Sequence, residues 1–176
     1  MRIRGFLTCT AVHDTEGRPV PLSKAIAYGW LKPVRAPAGF GIRSDEVPLG
    51  HNLFLDAGRQ YMAYAWGYRS PVSNYVPQYF GIGTGASTPT VADTALENPV
   101  PFTGQTLLKL VDLIDFPAPF IARVLFTIGA TEANGYLLTE FGFYSGDRTL
   151  IARLTRSVGI NKTSDFAPQL AHRVRF

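Results

Sequence analysis

The sequence Y-F-G-I-G-T-G-A-S-T-P-T-V-A-D-T-A-L-E-N at residues 79–98 decides how the rest of the chain is interpreted. Its glycines, Gly81, Gly83 and Gly85, follow an apolar run, as they do in a phosphate-binding loop. Such a loop needs a helix directly behind the glycines, because the free N–H groups of that helix hold the anion. Here a polar run with Pro89 follows, and neither the dinucleotide spacing nor a Gly-Lys-Ser/Thr end is present. The stretch therefore predicts no cofactor site. It predicts a short strand, a tight bend marked by glycines and a surface loop.

Composition and charge describe a folded chain with few charges. The 176 residues are enough for one domain with a real core, and only 17% of them are charged. A surface poor in charge predicts that partners cover part of it. The net charge of +4 comes from scattered Lys and Arg, so nucleic-acid binding is not indicated.

The cellular setting is predicted from what the sequence lacks. The single Cys9 excludes an internal disulfide and is expected as a buried strand residue. No signal-peptide pattern is present, and no apolar run reaches the roughly 18 residues of a membrane span. We expect a chain that is made in a cytosol and stays there until it is assembled, with no membrane partner.

Short runs rich in β-branched and aromatic residues predict a mainly β protein. Turn signals separate the later runs, and Asn134-Gly135 is the strongest hairpin signal among them. Strands do not alternate with helices, so the prediction is an antiparallel β-sandwich, jelly-roll-like, with one short helix packed on it. The predicted strands are 2–12, 25–31, 79–82, 107–114, 120–128, 137–144, 150–155 and 170–176.

One helix and one arm interrupt the strands. The spacing of apolar residues predicts a helix over 52–67 with Asp56 as its cap, and Gly58 inside it predicts close packing against another backbone. The prolines and glycines of 33–50 predict a long loop or arm. Residues 1–50 are thus expected to carry N-terminal strands plus an extended arm. Residues 51–176 are expected to form the sandwich core with its helix near 56–66, all in one domain.

Candidate catalytic and metal-binding residues are sparse. The histidines His13, His51 and His172 lie far apart in sequence, which predicts exposed side chains and no metal site. A two-carboxylate glycosidase is also conceivable. It would need two of three acids within roughly 5 to 10 Å in an open cleft. Those acids are Asp112, Asp115 and Glu140.

Glu140 has a structural explanation. It is the lone acid of an apolar strand, and a four-residue connection at 145–148 would place it opposite Arg153 on the next strand. A cross-strand ion pair there would fix the register and contribute a few tenths to about 1 kcal/mol. We therefore predict that Glu140 and Arg153 serve architecture.

The last six residues, A-H-R-V-R-F, alternate cationic and apolar side chains. One interpretation is that they complete the sheet, with Arg173 and Arg175 facing solvent or an acidic neighbour. The other is an ordinary edge strand that these two arginines keep soluble.

Several separated segments resemble, in the same order, a pattern common in structural proteins of tailed bacteriophages. The resemblance runs from about residue 52 to the end of the chain, and no single segment carries it alone. The segments are N-L at 52–53, D-A-G-R at 56–59, G-I-G-T-G at 81–85 with Pro89, D-T-A-L-E-N at 93–98, T-E-F-G-F-Y at 139–144, L-I-A-R at 150–153 and N-K-T at 161–163.

The resemblance implies a virion component that is not an enzyme. Such a protein is made in the host cytoplasm and works as a multimer with copies of itself and other virion proteins, at the capsid, portal or neck, or tail. The chain lacks the long repetitive shaft of a fibre, so a collar, neck, tail-accessory or capsid-decorating protein fits its length better. The residues that we assign to structure and assembly are Gly83, Gly85, Pro89, Glu140, Arg153, Arg173 and Arg175.

The alternative is a carbohydrate- or receptor-binding sandwich of the tail-fibre or spike type. Exposed aromatic rings would then stack on the faces of sugar rings. The candidate rings are Trp66, Tyr68, Tyr75 and Tyr79.

Overall fold

A computed structural model of the protein describes residues 4–35, 42, 44–67 and 76–175. Within these ranges the chain forms eleven strands and two helices. The strands are β1 (Arg4–Asp14), β2 (Pro19–Val20), β3 (Val47–Phe54), β4 (Pro77–Gly83), β5 (Pro99–Val100), β6 (Lys109–Leu110), β7 (Leu113–Ala118), β8 (Ile121–Thr127), β9 (Leu137–Ser145), β10 (Leu150–Asn161) and β11 (Phe166–Arg175). The helices are α1 (Leu22–Ala27) and α2 (Asp56–Gly67).

Two antiparallel sheets pack together, which confirms the predicted β-sandwich. The first sheet has the order β3-β1-β11-β8-β7, with β2 beside β1, and the second has the order β5-β4-β9-β10-β3, with β6 beside β4. Strand β3 belongs to both sheets. Its first part pairs with β1, and Leu53 and Phe54 at its end pair with β10. A strand that passes from one sheet to the other in this way forms a corner of the sandwich.

The core lies between the two sheets and is rich in phenylalanine. Phe126 of the first sheet is fully buried, and its ring centroid lies 4.3 Å from that of Phe80 and 5.3 Å from that of Phe143, both in the second sheet. Tilted and edge-on contacts of this kind add to the free energy gained by burying the rings. The aromatic residues that the sequence places in strands therefore join the two sheets.

The final strand is not at an edge, so the interpretation as an edge strand is wrong and the other one, that these residues complete the sheet, is confirmed. β11 lies between β1 and β8, and its backbone is paired on both sides. The predicted strand at 2–12 is observed as β1, which brings the first and last strands of the described chain together. The cationic side chains of β11 protect no open edge.

The strand predicted at 25–31 is wrong, because this part of the chain contains the helix α1. The carbonyl of Pro21 accepts hydrogen bonds from the backbone N–H groups of Lys24 and Ala25, which starts the helix. Gly29, with φ of +74°, ends the turn that follows. Trp30 then stacks on Phe166, with a centroid distance of 4.5 Å. A proline ahead of good helix formers was a helix signal that the alternating aromatic residues obscured.

The second helix is confirmed near 56–66, but its predicted start at 52 is four residues too early. Residues 52–54 belong instead to the end of β3, and residues 47–50 of the predicted arm form its first half. Residues 36–41 and 43 of that arm lie outside the described residues. A Cβ atom on Gly58 would come within 2.3 Å of the Ile151 carbonyl oxygen, which confirms the predicted close contact of the helix with another backbone.

Two connections cross from one sheet to the other at places where the sequence predicted a continuous strand and a hairpin. The predicted strand at 107–114 is split into β6, which pairs with β4, and β7, which pairs with β8. The predicted Asn134-Gly135 hairpin is wrong, because β8 and β9 lie in different sheets. The buried Lys162 ammonium donates to Asn134 Oδ1 (2.9 Å) and to the Ala130 carbonyl (3.1 Å), so the turn closes part of a longer crossing loop.

Candidate functional site

Glu140 of β9 and Arg153 of β10 form the ion pair that the sequence predicted, and the pair is buried. Arg153 Nε donates to Glu140 Oε1 at 2.7 Å, and the two side chains are 3% and 0% exposed. The predicted register is wrong by two residues, because Glu140 lies opposite Thr155 and Arg153 lies opposite Gly142. An irregularity near the start of β10 contributes to this shift. The guanidinium reaches the carboxylate diagonally, in a far drier environment than an exposed cross-strand pair.

The loop at 84–98 supplies three further partners for the same arginine. Arg153 Nη1 donates to Asp93 Oδ2 at 2.6 Å, and Nη2 donates to Ser87 Oγ at 3.1 Å. The Glu97 carboxylate lies 3.4 Å from Nη2. We call these five residues, Arg153, Glu140, Asp93, Glu97 and Ser87, the Arg153 cluster. They tie the glycine-rich stretch to the β9–β10 hairpin.

Glu140 also holds both ends of that loop through backbone contacts. Its Oε1 accepts a hydrogen bond from the N–H of Glu97 at 2.7 Å. Its Oε2 accepts from the N–H groups of Asn98 at 3.2 Å and Gly85 at 3.3 Å. One carboxylate therefore satisfies three backbone donors and an arginine, as a buried charge requires.

The glycines leave room for this carboxylate. A Cβ atom on Gly83 would come within 2.4 Å of Glu140 Oε2, and one on Gly85 within 2.6 Å of the same atom. Neither glycine has a positive φ, so a left-handed conformation does not explain them, whereas the space that they leave for Glu140 does. The loop itself is observed where it was predicted, and Pro89 lies half-buried within it.

The electrostatics of the Arg153 cluster favour the ionised forms. One guanidinium and three carboxylates (+1 − 3) give a formal charge of −2. Burial raises the pKa of Asp93, but hydrogen bonds from Thr90 and Arg153 outweigh it and hold that pKa below its usual range. The backbone and side chain of Ser87 lower the pKa of Glu97. Burial lowers the pKa of Arg153, but Asp93 and Glu140 raise it overall.

A second buried ion pair lies on the outer face of the first sheet. Arg173 is fully buried, and its Nη2 donates to Glu46 Oε1. Glu46 Oε2 accepts from Thr8 Oγ1 at 3.2 Å. Of the two predicted surroundings of Arg173, solvent is therefore wrong, and the acid that it meets is Glu46 of its own chain. Arg175, two residues later, is exposed.

His172 corrects the prediction of exposed histidines. It lies inside the sandwich, fully buried, with its ring stacked on that of Phe143 at 4.0 Å between centroids. Burial lowers the pKa of His172 to about 3. The side chain is a neutral part of the core at physiological pH. Cys9, predicted as a buried strand residue, is confirmed as one.

The three acids considered for glycoside hydrolysis each have their own partner. Asp112 accepts a hydrogen bond from Thr127 at 2.7 Å, and Asp115 pairs with Arg123 at 2.8 Å. Glu140 belongs to the Arg153 cluster in the other sheet. Among the residues that the structure describes, no three His, Cys, Asp or Glu side chains come together as a metal site, and no helix is long and apolar enough to cross a membrane.

Of the aromatic rings proposed to stack on sugars, the structure places one. Tyr79 is half-buried, packs against Tyr144 and has the Arg148 guanidinium 5.9 Å from its ring centroid. Tyr68, Tyr75 and the side chain of Trp66 lie outside the described residues. Sugar binding stays a prediction, which a glycan array with the purified protein tests.

Sequence reasoning missed most of the partners of the buried cations. It paired Arg153 with Glu140 but did not connect Asp93 and Glu97 to them, and it gave Arg173 no acidic partner from its own chain. One signal could have indicated these partners. A charged residue predicted inside an apolar strand needs several compensating groups around it. The Arg153 cluster uses its polar groups on one another, which makes it a clamp that holds a loop on a hairpin. Comparisons with models of protein families, with curated proteins and with solved structures found no match to this chain.

Proposed function

We propose that this protein is a non-enzymatic structural component of a tailed phage particle, located in the virion and working as a multimer. The resemblance described above is the source of this assignment. A collar, neck, tail-accessory or capsid-decorating position fits the chain. Its partners are copies of itself and neighbouring virion proteins.

The observation that supports assembly is a concentration of exposed apolar side chains at residues 107–120. Of the thirteen large hydrophobic residues that are exposed in the described chain, six lie in this segment. Phe116 and Phe120, at the tip of the β7–β8 hairpin, are each 75% exposed. We call this set the apolar edge: Leu107, Leu110, Leu113, Ile114, Phe116 and Phe120.

Four residues of the apolar edge lie on β7 or in the turn that follows it, at the end of the first sheet, whereas Leu107 and Leu110 lie before and in β6, which pairs with β4 of the second sheet. β7 is the last strand of the first sheet, so one side of its backbone has no neighbouring strand within the described residues. An open, apolar edge strand is a pairing site for another chain. Clustered exposed apolar groups mark interaction surfaces, because covering them removes apolar area from water. A neighbouring subunit would pair with the open side of β7 and would cover the exposed apolar side chains.

Self-association tests the assembly part of the proposal. We expect the purified protein to form a defined oligomer in sedimentation equilibrium, and Phe116→Ser with Phe120→Ser to shift it to monomers while far-UV circular dichroism stays unchanged. The control is Tyr136→Ser, which removes another exposed ring away from the edge. A wild-type protein that stays monomeric at high concentration contradicts the proposal, and so does a double variant that associates like the wild type.

Mass spectrometry of purified phage particles tests the location. We expect a fixed number of copies per particle that survives washing at high salt. Absence of the chain from particles whose genome encodes it would contradict the assignment to the virion.

A further inference from the structure

Asn134 and Gly135 lie at exposed positions in the loop that crosses from β8 to β9, and the sequence contains no other Asn-Gly pair. Such a pair is chemically labile, because a glycine has no side chain to hinder its backbone nitrogen. In deamidation the Gly135 nitrogen forms a bond to Asn134 Cγ and gives up its proton. The Cγ–Nδ2 bond breaks, and the amide group takes that proton and leaves as ammonia. Water then opens the cyclic imide to aspartate or isoaspartate.

The folded loop holds both reacting groups away from this reaction. The Gly135 N–H donates to the Lys162 carbonyl at 2.9 Å. Asn134 Nδ2 donates to the Ala130 carbonyl at 2.9 Å, and Oδ1 accepts from Lys162 Nζ at 2.9 Å. The attacking nitrogen and the amide that it must reach are each fixed by a partner, so these hydrogen bonds have to break before the imide forms.

Lys162 is the centre of this arrangement. It is fully buried, and besides Asn134 its Nζ donates to the carbonyls of Ala130 at 3.1 Å and Thr163 at 2.6 Å. All three acceptors are neutral oxygens. One ammonium group therefore ties the labile asparagine to the start of the turn and to the end of β10.

The chain offers the Lys162 ammonium no carboxylate. All thirteen Asp and Glu residues lie in the described part of the sequence, and none of them forms an ion pair with Lys162. Glu132, in the same loop, bonds Lys109 through both of its oxygens. Burial lowers the pKa of Lys162 to about 8, although the charges of Glu132 and Asp165 raise it, so the group is mainly cationic at neutral pH. A buried cation with neutral partners alone is incompletely compensated.

We propose that Asn134 is a deamidation site that the folded loop keeps closed, and that the aspartate it yields forms an ion pair with the Lys162 ammonium. The oxygen that accepts from Nζ is already in place, and a charged acceptor makes a stronger hydrogen bond than a neutral one. The second oxygen of the aspartate loses the bond to the Ala130 carbonyl, which offsets part of the gain. This inference does not depend on the proposed function.

The rate of conversion tests the closed state. The protein is incubated folded and in urea at the same pH and temperature, and peptide mass spectrometry follows the replacement of the Asn134 amide by a hydroxyl group. We expect conversion to be at least about tenfold slower in the folded protein, because the reaction waits for the loop to open. Equal rates in the two states overturn the proposal, and so does an asparagine that stays unconverted in urea.

Lys162→Met tests what keeps the site closed. This variant removes all three hydrogen bonds of Nζ and should speed conversion in the folded protein several-fold towards the rate in urea. Lys24→Met is the matched control at an exposed position of α1 and should convert like the wild type. A Lys162→Met protein with wild-type far-UV circular dichroism and an unchanged rate overturns the role of Lys162.

The product is tested with Asn134→Asp, since Lys162→Met leaves buried carbonyls unpaired and can unfold. Titration of the Lys162 side chain by NMR should show its pKa raised by about 1 or more, because the new carboxylate favours the charged ammonium. The matched control is Gln105→Glu, which makes the same change from amide to acid at an exposed position in another loop. A Lys162 pKa that is the same in the two variants overturns the ion pair.

Discussion

Arg153 and Arg156 lie three residues apart on β10, and their surroundings are opposite. Arg153 meets three carboxylates and one hydroxyl, and every carboxylate is supplied by the chain itself. Arg156 meets two backbone carbonyls and no carboxylate. The comparison separates two uses of a buried arginine. Arg153 is compensated by carboxylates and fixes a loop, whereas Arg156 is held by carbonyls and its Nη1 has no hydrogen-bond partner among the described residues.

Removing the Glu140 carboxylate, which lies at the centre of the Arg153 cluster, should cause the largest loss of stability. Glu140→Gln leaves Arg153 with less charge compensation and weakens three backbone contacts, so we expect a loss of about 3–5 kcal/mol in the free energy of unfolding, measured by urea denaturation. Asp112→Asn, an exposed acid, should change it by about 0.5 kcal/mol at most. Replacing Glu140 and Arg153 together by Leu should destabilise less than the sum of the two single changes. Additive losses would contradict direct coupling.

Filling the space beside Glu140 should cause the second-largest loss of stability. Gly83→Ala places a methyl group against Glu140 Oε2 and the Asn98 carbonyl, and we expect a loss of about 2–3 kcal/mol from the forced displacement. Gly104→Ala is the control, because its Cβ would meet open space and only the positive φ disfavours it, by about 1 kcal/mol. Equal effects in the two variants would contradict the crowding against Glu140, because Gly83 has no positive φ that could disfavour alanine.

Acid should weaken the Arg153 cluster. The folded-state pKa of Asp93 is lowered, so the stability that it contributes is fully present above its unfolded pKa of roughly 4 and is lost as the pH falls through the folded value. Asp93→Asn should cost about 1–2 kcal/mol at pH 7, and the difference from wild type should shrink as the pH approaches 3. Urea denaturation of both proteins between pH 7 and pH 3 measures this. A difference that is constant with pH would show that the charge of Asp93 contributes nothing.

The smallest effect is expected at the end of β11. Arg175→Gln changes an exposed side chain and should alter the free energy of unfolding by less than about 0.5 kcal/mol. Arg173→Gln, two residues earlier, removes a fully buried partner of Glu46 and should cost several times more. Similar values for the two would contradict the difference in burial.

Local sequence predicted the parts of this site that lie close together along the chain. Glu140 and Arg153 flank one turn, and a hairpin there brings them together in any register close to the predicted one. The acids Asp93 and Glu97 join them from more than forty residues away, through a loop whose path depends on the whole second sheet. Arg173 and Glu46 are separated still further, by 127 positions, so nothing local connects them.

The wrong predictions about the fold also come from contacts between residues that are distant in sequence. Asn134-Gly135 does form a turn, but it is part of a longer loop held by Lys162, and the flanking strands lie in different sheets. The apolar alternation around Tyr28 and Trp30 is that of a strand, yet the segment begins as a helix after Pro21. A sandwich class follows from the number and spacing of short strands. Which strands become neighbours is settled by contacts distant in sequence.

The pairing of β1 with β11 has a mechanical consequence. Arg4 lies opposite Arg175, so a force that pulls these two positions apart acts along the inter-strand hydrogen bonds at one end of the ladder. The bonds then break one after another, as in unzipping, and they do not share the load as they would in shear. Resistance to stretching from these ends should therefore be low. Force that enters through the sides of the sandwich would not load this end of the ladder in the same way.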